Sequence, residues 1–345
     1  MSALAARAKL PRSTMLRSLA LVALVGVVLL IVSYQLGPFD DLQLANGAFY
    51  FAVLAGLTML AGLSGQISLG HGALMAVGAY TVALLIGNEG WAVVPALAAA
   101  TLVTAIVGVP VGVAASRLRG PYLAGATLAF AVGLPAVADK FSGTFGGENG
   151  LSINPPTPPS FLGASFSIEQ WEAWIACAGA LVVLFVLWNL TQSGLGRSMR
   201  AVRDEEIAAA LCGLRVGRTQ AFAFTVSAAC AGLGGGLLAL VLQLAQPGAF
   251  PLQLSLSLLT GIVIGGLGSL AGAAWGAAVL VLLPRWTNDL AHSFSLSNNV
   301  SSNLPLAIYG VVLIGAMLVW PSGIQGGVRA LVGWALRARS SREKD

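Results

Sequence analysis

Residues 174–243 read WIACAGALVVLFVLWNLTQSGLGRSMRAVRDEEIAAALCGLRVGRTQAFAFTVSAACAGLGGGLLALVLQ, and this stretch decides the fold. Two apolar runs, near residues 172–190 and 219–243, flank a loop, residues 191–218, that carries five arginines and three acids. Each run reaches the length of about 20 residues that a helix needs to cross the hydrocarbon core of a bilayer. The stretch therefore predicts two membrane-spanning helices that are joined by a charged loop on one side of a membrane.

The composition of the whole chain predicts the same class. Of its 345 residues, 57% are hydrophobic and only 9% are charged, whereas a soluble domain has about 25% charged residues. We predict an all-α polytopic membrane protein with about ten hydrophobic segments, of which eight to ten span the membrane. These segments lie near residues 17–36, 44–63, 67–86, 91–115, 121–138, 172–190, 219–243, 253–268, 271–284 and 305–320. We expect broken or re-entrant helices near 62–72 and 253–284.

The positions of the basic residues predict the orientation. If the N-terminus is cytoplasmic and the segments alternate, sixteen of the eighteen lysines and arginines lie on the cytoplasmic side, and only Lys140 and Arg285 lie outside. This arrangement agrees with the positive-inside rule. The predicted organisation is a cytoplasmic basic N-terminus (1–16), a transmembrane domain (17–320) and a cytoplasmic basic tail (321–345). Within the domain, 191–218 is a cytoplasmic loop and 139–170 an external loop.

Several other classes of protein are disfavoured. The net charge of +5 could suggest a nucleic-acid partner, but the cations do not cluster with aromatic residues on one soluble module. No charged residue stands in the middle of a predicted span, which argues against a carrier that titrates a buried acid. None of the three lysines lies in a P-loop pattern. No Cys/His cluster offers a metal site. We therefore expect neither an enzyme nor a metalloprotein.

The polar stretch SGQISLGHG, residues 64–72, interrupts two apolar runs. Irregular backbone at membrane depth is tolerated where protein buries it or where it lines a cavity, and the ends of half-helices there can present dipoles to a solute. We predict that Gln66, Ser68, His71 and Gly72 lie near a substrate pathway. The alternative is a hydrogen-bonded helix break that contacts no ligand.

The loop 191–218 contains a predicted short helix. Ile207, Leu211 and Leu214 form one apolar stripe, Asp204 could cap its start and Gly213 could end it. A short amphipathic helix of this kind can dock in a groove of a soluble partner, although a solvated loop that only sets the topology would have the same charges. The Pro- and Gly-rich external loop 139–170 could close the outer mouth, meet an external protein or simply connect two helices.

Several motifs together resemble the permeases of branched-chain amino acid ABC importers, and in particular their LivM branch. The resemblance covers about residues 40–327, with the motifs in the expected order. They are GLSGQISLGHG (62–72) with Ala79-Tyr80, YLAGATLAF (122–130) followed by GGENGL (146–151), GRSMRAVRD (196–204) with Ala208, Ala209, Gly213 and AFAF (221–224), GGLGS (265–269), and Tyr309-Gly310 with PSGI (321–324).

The resemblance implies a set of partners and a substrate. A homologous LivH-type permease would pair with this chain in the lipid of a bacterial plasma (inner) membrane. Two cytoplasmic ATPase subunits would hydrolyse ATP, so that this chain binds no cofactor itself, and an external solute-binding protein would deliver leucine, isoleucine or valine. Relatives that carry urea, short amides or other small polar solutes leave a second class of substrate open. A stand-alone carrier or a structural scaffold would also have an apolar, multi-span sequence.

The resemblance also assigns the loop 191–218 as the segment that contacts the ATPase. The residues carried over are Arg197, Arg200, Arg203, Asp204, Glu206, Ala208, Ala209 and Gly213. The general motif has a glutamate directly before the two alanines, whereas Ile207 follows Glu206 here, and no I-x-L-P follows Gly213 at the usual spacing. Asp204 and Glu206 both remain candidates for the acid that contacts the ATPase.

Overall fold

The computed structural model describes residues 14–118, 121–159, 166–293 and 323–331, together with 308, 310, 311, 314 and 315. The helices are α1 (Thr14–Ser33), α2 (Pro38–Ser64), α3 (His71–Ala83), α4 (Val93–Ala115), α5 (Pro121–Lys140), α6 (Ser142–Phe145), α7 (Ile168–Gln192), α8 (Gly194–Asp204), α9 (Glu206–Leu211), α10 (Val216–Leu242), α11 (Leu252–Gly265) and α12 (Leu270–Ser293). Residues 323–331 are also helical. Two short strands, β1 (Leu151–Ser152) and β2 (Leu244–Ala245), pair antiparallel.

The prediction of an all-α polytopic membrane protein is confirmed. Eight helices in the described parts of the chain are long and apolar enough to cross a membrane, which lies within the predicted range. Most of the tenth predicted segment, 305–320, falls outside the described residues, as do most of the predicted N-terminus 1–16 and most of the tail 321–345. Residues 160–165 of the predicted external loop also fall outside them.

Helix α10 forms the centre of the bundle and packs against α2, α3 and α4. Its glycines allow this packing. A Cβ atom on Gly232 would meet the side chain of Thr104 on α4, and one on Gly235 would meet the carbonyl group of Met75 on α3. Small residues of this kind let helix backbones approach closely inside a membrane. The run GLGGG therefore builds the tightest helix crossings of the bundle.

Two breaks interrupt the helical bundle where the sequence predicts them. Helix α2 ends at Gly65, whose φ of 71° is left-handed, and irregular backbone then leads to His71 at the start of α3. The second break lies between α11 and α12, where Gly266 and Gly268 have φ values of 115° and 77°. A positive φ is accessible to glycine at little cost. Helix α11 has 14 residues, about 21 Å, so it is shorter than the ~30 Å hydrocarbon core.

The strands lie at one end of the bundle, and α8 and α9 lie at the other. We call these the ribbon end and the hairpin end. At the ribbon end, Leu151 pairs with Ala245, and the N–H of Ile153 donates to the carbonyl of Gln243 at 2.9 Å. Part of the predicted external loop is therefore fastened to the segment that follows α10.

Two carboxylates near the ribbon end are buried, a feature that the sequence did not predict. Asp41 lies in the first turn of α2 and accepts a hydrogen bond of 2.8 Å from Ser33 Oγ. Glu172 lies near the start of α7 and accepts a bond of 3.2 Å from Gln243 Nε2. Both acids stand near helix ends, so within the described residues the middle of each span remains free of acidic side chains.

Candidate functional site

Helices α8 and α9 form a hairpin between α7 and α10, in the loop that the sequence predicts to contact an ATPase, and we call it the coupling hairpin after that prediction. It is mounted on the bundle by an amphipathic α8, in which Met199 and Val202 are buried. Ser193 caps α8 and accepts a hydrogen bond from the N–H of Gly196. A Cβ atom on Gly196 would press on the carbonyl groups at the end of α7. The corner between α7 and α8 is therefore tightly fixed.

The predicted short helix is found as α9, but its start differs from the prediction. Asp204 does not cap α9, because it is the last residue of α8, and Glu205 takes the N-cap position with an extended backbone. Gly213 does end the helix. Its φ is 85°, and the next N–H, that of Leu214, donates back to the carbonyl of Ala209 at 3.0 Å. This geometry is typical of a glycine that terminates a helix.

The three arginines of α8 all donate to atoms within the chain. Arg197 and Arg200 donate to the carbonyls of Gln192 and Thr191, which belong to the last turn of α7. Positive side chains are favourable at this end of a helix. Arg203 donates to the carbonyl of Gly62 at the end of α2 and also forms an ion pair of 2.7 Å with Asp204. Their visible role is to hold the hairpin in place.

The outer surface of α9 carries large apolar side chains. Ile207 is 70% exposed and Leu211 is 84% exposed. Leu214, the third member of the predicted stripe, is only half-buried rather than protruding, and Ala209 is buried while Ala208 is exposed. An apolar pair one helical turn apart on a firmly mounted hairpin has the character of a contact surface.

A chain of polar groups links the hairpin to the first helix break. Gln220, in the first turns of α10, donates from Nε2 to Glu206 Oε1 at 2.8 Å. The carbonyl of the same Gln220 accepts a bond of 3.1 Å from Gln66 Nε2, which also donates to Ser64 Oγ at 2.8 Å. Gln66 thus connects the coupling hairpin with the backbone that joins α2 to α3.

The remaining predicted pathway residues are buried in the same break. His71 lies with Nδ1 3.1 Å from Ser68 Oγ and Nε2 2.8 Å from Ser227 Oγ near the middle of α10. A neutral imidazole can serve two hydroxyls in this way, as a donor to one and an acceptor from the other. The N–H of Gly72 donates to Ser255 Oγ on α11 at 3.0 Å.

The structure therefore brings Gln66, Ser68, His71 and Gly72 together, and each makes hydrogen bonds within the chain. Their contacts join α3 to its neighbours on three sides. Besides Ser227 and Ser255, Thr127 on α5 takes part, since its Oγ1 accepts from the N–H of Leu69 at 3.0 Å.

Sequence reasoning missed these partner hydroxyls and Gln220. Isolated polar residues within the apolar runs were the available signal, because such residues often bond between helices in a membrane.

Two grooves lie away from this break. A groove of about 790 Å³ opens between α1, α2, α7 and α12, and its lining is almost wholly hydrocarbon. A second groove of about 390 Å³ lies between α1 and α7. Arg285 and Asp40, an ion pair of 3.3 Å, are the charged residues that line the larger one. These grooves are surfaces for apolar groups rather than for an amino acid.

Comparison with known proteins places the chain in a family. The model of the branched-chain amino acid transport system / permease component family matches residues 42–320. The chain is 31% identical over 299 residues to the high-affinity branched-chain amino acid transport system permease protein LivM of Salmonella typhimurium, covering 80% of this chain and 67% of LivM. LivM of Escherichia coli strain K12 gives the same identity and coverage.

A second kind of permease is also similar. The chain is 25% identical over 299 residues to the permease protein LivH of Escherichia coli strain K12, covering 81% of this chain and 92% of LivH. No solved structure matches the chain. The family match covers most of the chain, and it agrees with the multi-pass helical fold and with the motifs from residue 62 to residue 269. The chain therefore belongs to the branched-chain amino acid transport system permease family, as a membrane-embedded transport subunit of the LivM type.

Proposed function

We propose that the chain is a translocating subunit of an ATP-driven importer, and that its coupling hairpin contacts a cytoplasmic ATPase subunit. The observation that carries this proposal is the exposed pair Ile207 and Leu211 on a hairpin whose base is fixed by hydrogen bonds. An amphipathic helix with two apolar anchors one turn apart suits a groove on a soluble partner. ATP is bound and hydrolysed by that partner, and this chain binds no cofactor.

The candidate coupling residues divide into two roles. Arg197, Arg200 and Arg203 hold the hairpin on the bundle. Asp204, Ala208 and the turn at Gly213 are exposed and form the contact with the ATPase, together with the apolar pair. Ala209 is buried beneath this surface, and Glu206 turns towards Gln220. Of the two candidate acids, Asp204 is therefore our choice for the contact.

The hairpin end is proposed to face the cytoplasm of a bacterial inner membrane. Described basic residues support this orientation, since Arg117 and the five arginines of residues 191–218 lie at the hairpin end, whereas Lys140 and Arg285 lie towards the ribbon end. This distribution follows the positive-inside rule. Both termini are then cytoplasmic, and an external solute-binding protein approaches the ribbon end.

The second membrane subunit is proposed to be a homologous LivH-type permease that packs against α5. Most of α5 is exposed, and its open face carries small residues four apart, Gly125, Ala129 and Gly133. Among the described residues, no atom lies within 4 Å of a Cβ built on either glycine. A face of this kind favours close contact with another membrane helix.

The proposed substrates are leucine, isoleucine and valine, because the relatives LivM and LivH are named as branched-chain amino acid permeases. A small polar solute such as urea or a short amide is the alternative. Gln66, Ser68, His71 and Gly72 shape the pathway in this proposal. Their hydrogen bonds set the positions of α3, α5, α10 and α11 around it.

The proposal is tested in vesicles that contain this chain, its partner permease and the ATPases. Labelled leucine and labelled urea are supplied with the binding protein outside, and ATP is present or absent inside. ATP-dependent leucine uptake is the expected result. Urea uptake alone would replace the substrate, and uptake that is independent of ATP would contradict the importer function.

The hairpin contact has its own test in co-purification of the ATPase subunits. Ile207→Asp combined with Leu211→Asp should abolish co-purification, because two charges cannot enter an apolar groove without a large desolvation cost. Phe141→Asp is the matched control, since Phe141 is also an exposed apolar residue but lies near the ribbon end. Retention of the ATPase by the double variant would rule out this surface.

A further inference from the structure

The end of α2 and the backbone that follows it are joined to the coupling hairpin by one direct contact and by one indirect contact that runs through α10. Arg203 of α8 donates to the carbonyl of Gly62. Glu206 of α9 holds Gln220, whose carbonyl accepts from Gln66. The stretch from 62 to 66, which we call the joint, is therefore held at Gly62 by the hairpin itself and at Gln66 by Gln220 of α10, which the hairpin holds through Glu206.

The joint also touches the second helix break. A Cβ on Gly62 would collide with the backbone of Gly268, in the turn between α11 and α12. Nearby, Gly65 has a left-handed backbone and lies against Arg203, whose Cγ is 3.0 Å from a Cβ built on Gly65. The hairpin, the end of α2 and the α11–α12 turn therefore meet with no spare volume, and a movement of one must be accommodated by the others.

Gln66, in the joint, has a side-chain amide whose hydrogen bonds are only partly formed. It is 5% exposed, and its amide nitrogen makes both of the hydrogen bonds that the side chain forms. Its Oε1 has no hydrogen-bond partner among the residues that the structure describes. The orientation of the amide is set by the carbonyl of Gln220, which can only accept, so the amide oxygen cannot face it. A buried carbonyl oxygen without a donor is unfavourable and is rarely left so without a reason.

We propose that Gln66 is a positioning residue that latches the break between α2 and α3 to the coupling hairpin. When the hairpin moves with the ATPase, the bond from Gln66 to the Gln220 carbonyl opens, and the amide finds partners for both its nitrogen and its oxygen in the second arrangement. The movement reaches His71 and Gly72 through the backbone, and from there α10 and α11 through Ser227 and Ser255. This inference rests on the proposed function and names the element that transmits its motion.

The latch is tested by the number of ATP molecules hydrolysed per leucine imported in the reconstituted complex. Gln66→Met keeps the length of the side chain but removes the amide, and Gln66→Glu removes the donors. Both should raise the ratio roughly tenfold, the shift in a two-state equilibrium that one net hydrogen bond supports. Gln192→Met is the matched control, because the Gln192 side chain is exposed and the bond from Arg197 goes to its backbone carbonyl, which the substitution keeps.

A role in packing alone predicts a different pattern. Transport and hydrolysis would then fall together, in proportion to the amount of folded complex, and the ratio would not change. That result in both Gln66 variants would overturn the proposal. ATP-dependent import by the unmodified complex is measured in the same preparation, so the proposed function is judged separately from the latch.

A reversible crosslink tests whether the joint moves. A Cβ built on Gly65 lies 3.8 Å from Cβ of Arg203, close to the average separation in a disulfide. Gly65→Cys with Arg203→Cys is made together with Cys212→Ser, which removes the exposed thiol. Oxidation should stop import by this variant, and reduction should restore import to the level measured for Gly65→Cys or Arg203→Cys alone, whichever is lower. Ser116→Cys with Gly217→Cys is the control, since this pair is also 3.8 Å apart but joins α4 to α10. Equal import by the oxidised and the reduced joint variant would show that the joint stays closed.

Discussion

Helices α10 and α5 both carry glycines on a membrane-spanning helix, yet the glycines have opposite surroundings. A Cβ on Gly232 or Gly235 of α10 would enter a neighbouring helix, whereas one on Gly125 or Gly133 of α5 would meet no atom of the described part of the chain within 4 Å. In α10 a neighbouring helix of the same chain occupies the space that a side chain would need. In α5 it leaves an open face. The same residue type thus marks a completed helix contact in one place and a vacant one in the other.

The largest effect on folding is expected where α10 packs against α3. Gly235→Val should prevent correct folding, because its Cβ would overlap the backbone carbonyl of Met75, which cannot move away as a side chain could. Overpacking of this kind costs about 3 kcal/mol or more. The yield of monodisperse protein after solubilisation measures the effect, with Gly125→Val on α5 as the matched control. Equal yields from the two variants would contradict the view that α10 is closely packed at this position and α5 is open.

The next effect concerns the open face of α5. Gly133→Leu should leave the isolated chain folded but weaken its association with the homologous permease. Small residues let the backbones of two membrane helices approach closely, and a leucine side chain at this position would hold the two helices apart. Co-purification of the two permeases measures this association, and the thermal stability of the isolated chain is the control. Undiminished pairing would mean that the partner contacts another face.

A smaller effect is expected where α10 holds the first helix break. Ser227→Ala removes the hydroxyl 2.8 Å from His71 Nε2 and leaves a buried ring nitrogen unpaired. The loss should be about 1–3 kcal/mol, visible as a lower melting temperature of the purified chain. Ser198→Ala is the control, because this serine bonds a backbone carbonyl at an exposed position of α8. A melting temperature equal to that of the unchanged protein would imply that His71 gains another partner.

The smallest effect on stability is expected from a single methyl group on the open face of α5. Gly125→Ala adds one methyl group to the open face of α5 and should change the stability of the isolated chain by no more than about 0.5 kcal/mol. The same Gly→Ala change at Gly78 should destabilise it clearly, since the new Cβ would meet the backbone of Gly232. Thermal unfolding of the two variants side by side measures the contrast, and a similar loss in both would contradict it.

The sequence could predict the features that depend on local composition. Apolar runs predicted the spans, the polar stretch 64–72 predicted the first break, and Gly213 predicted the end of α9. Helix α8 was missed because its buried stripe, Met199 and Val202, is short and surrounded by charges. The predicted break near 253–284 is also found, since 253–268 and 271–284 form the broken pair α11 and α12.

The features that the sequence did not predict depend on contacts between residues far apart in the chain. The burial of Glu172 depends on Gln243, which is 71 positions away, and the link from Gln66 to the hairpin depends on Gln220, 154 positions away. Hydropathy and spacing carry no information on such pairs. Asp204 matched the local signal for a helix cap, but the helix of which it became part, α8, begins ten residues earlier.

Helix α1 is hydrogen-bonded to the bundle near both of its ends. Ser18 bonds Asn189 on α7 at 3.1 Å, and Ser33 bonds both Asp41 and Trp174. These serines are 15 positions apart, about 22 Å along the helix, and the apolar groove between α1, α2, α7 and α12 lies alongside the intervening turns. Lipid offers no competing hydrogen bonds. The two serines therefore fix the depth of α1 in the membrane and its rotation about its own axis. The apolar residues between them are then free to change during evolution, provided that they stay apolar and keep that spacing.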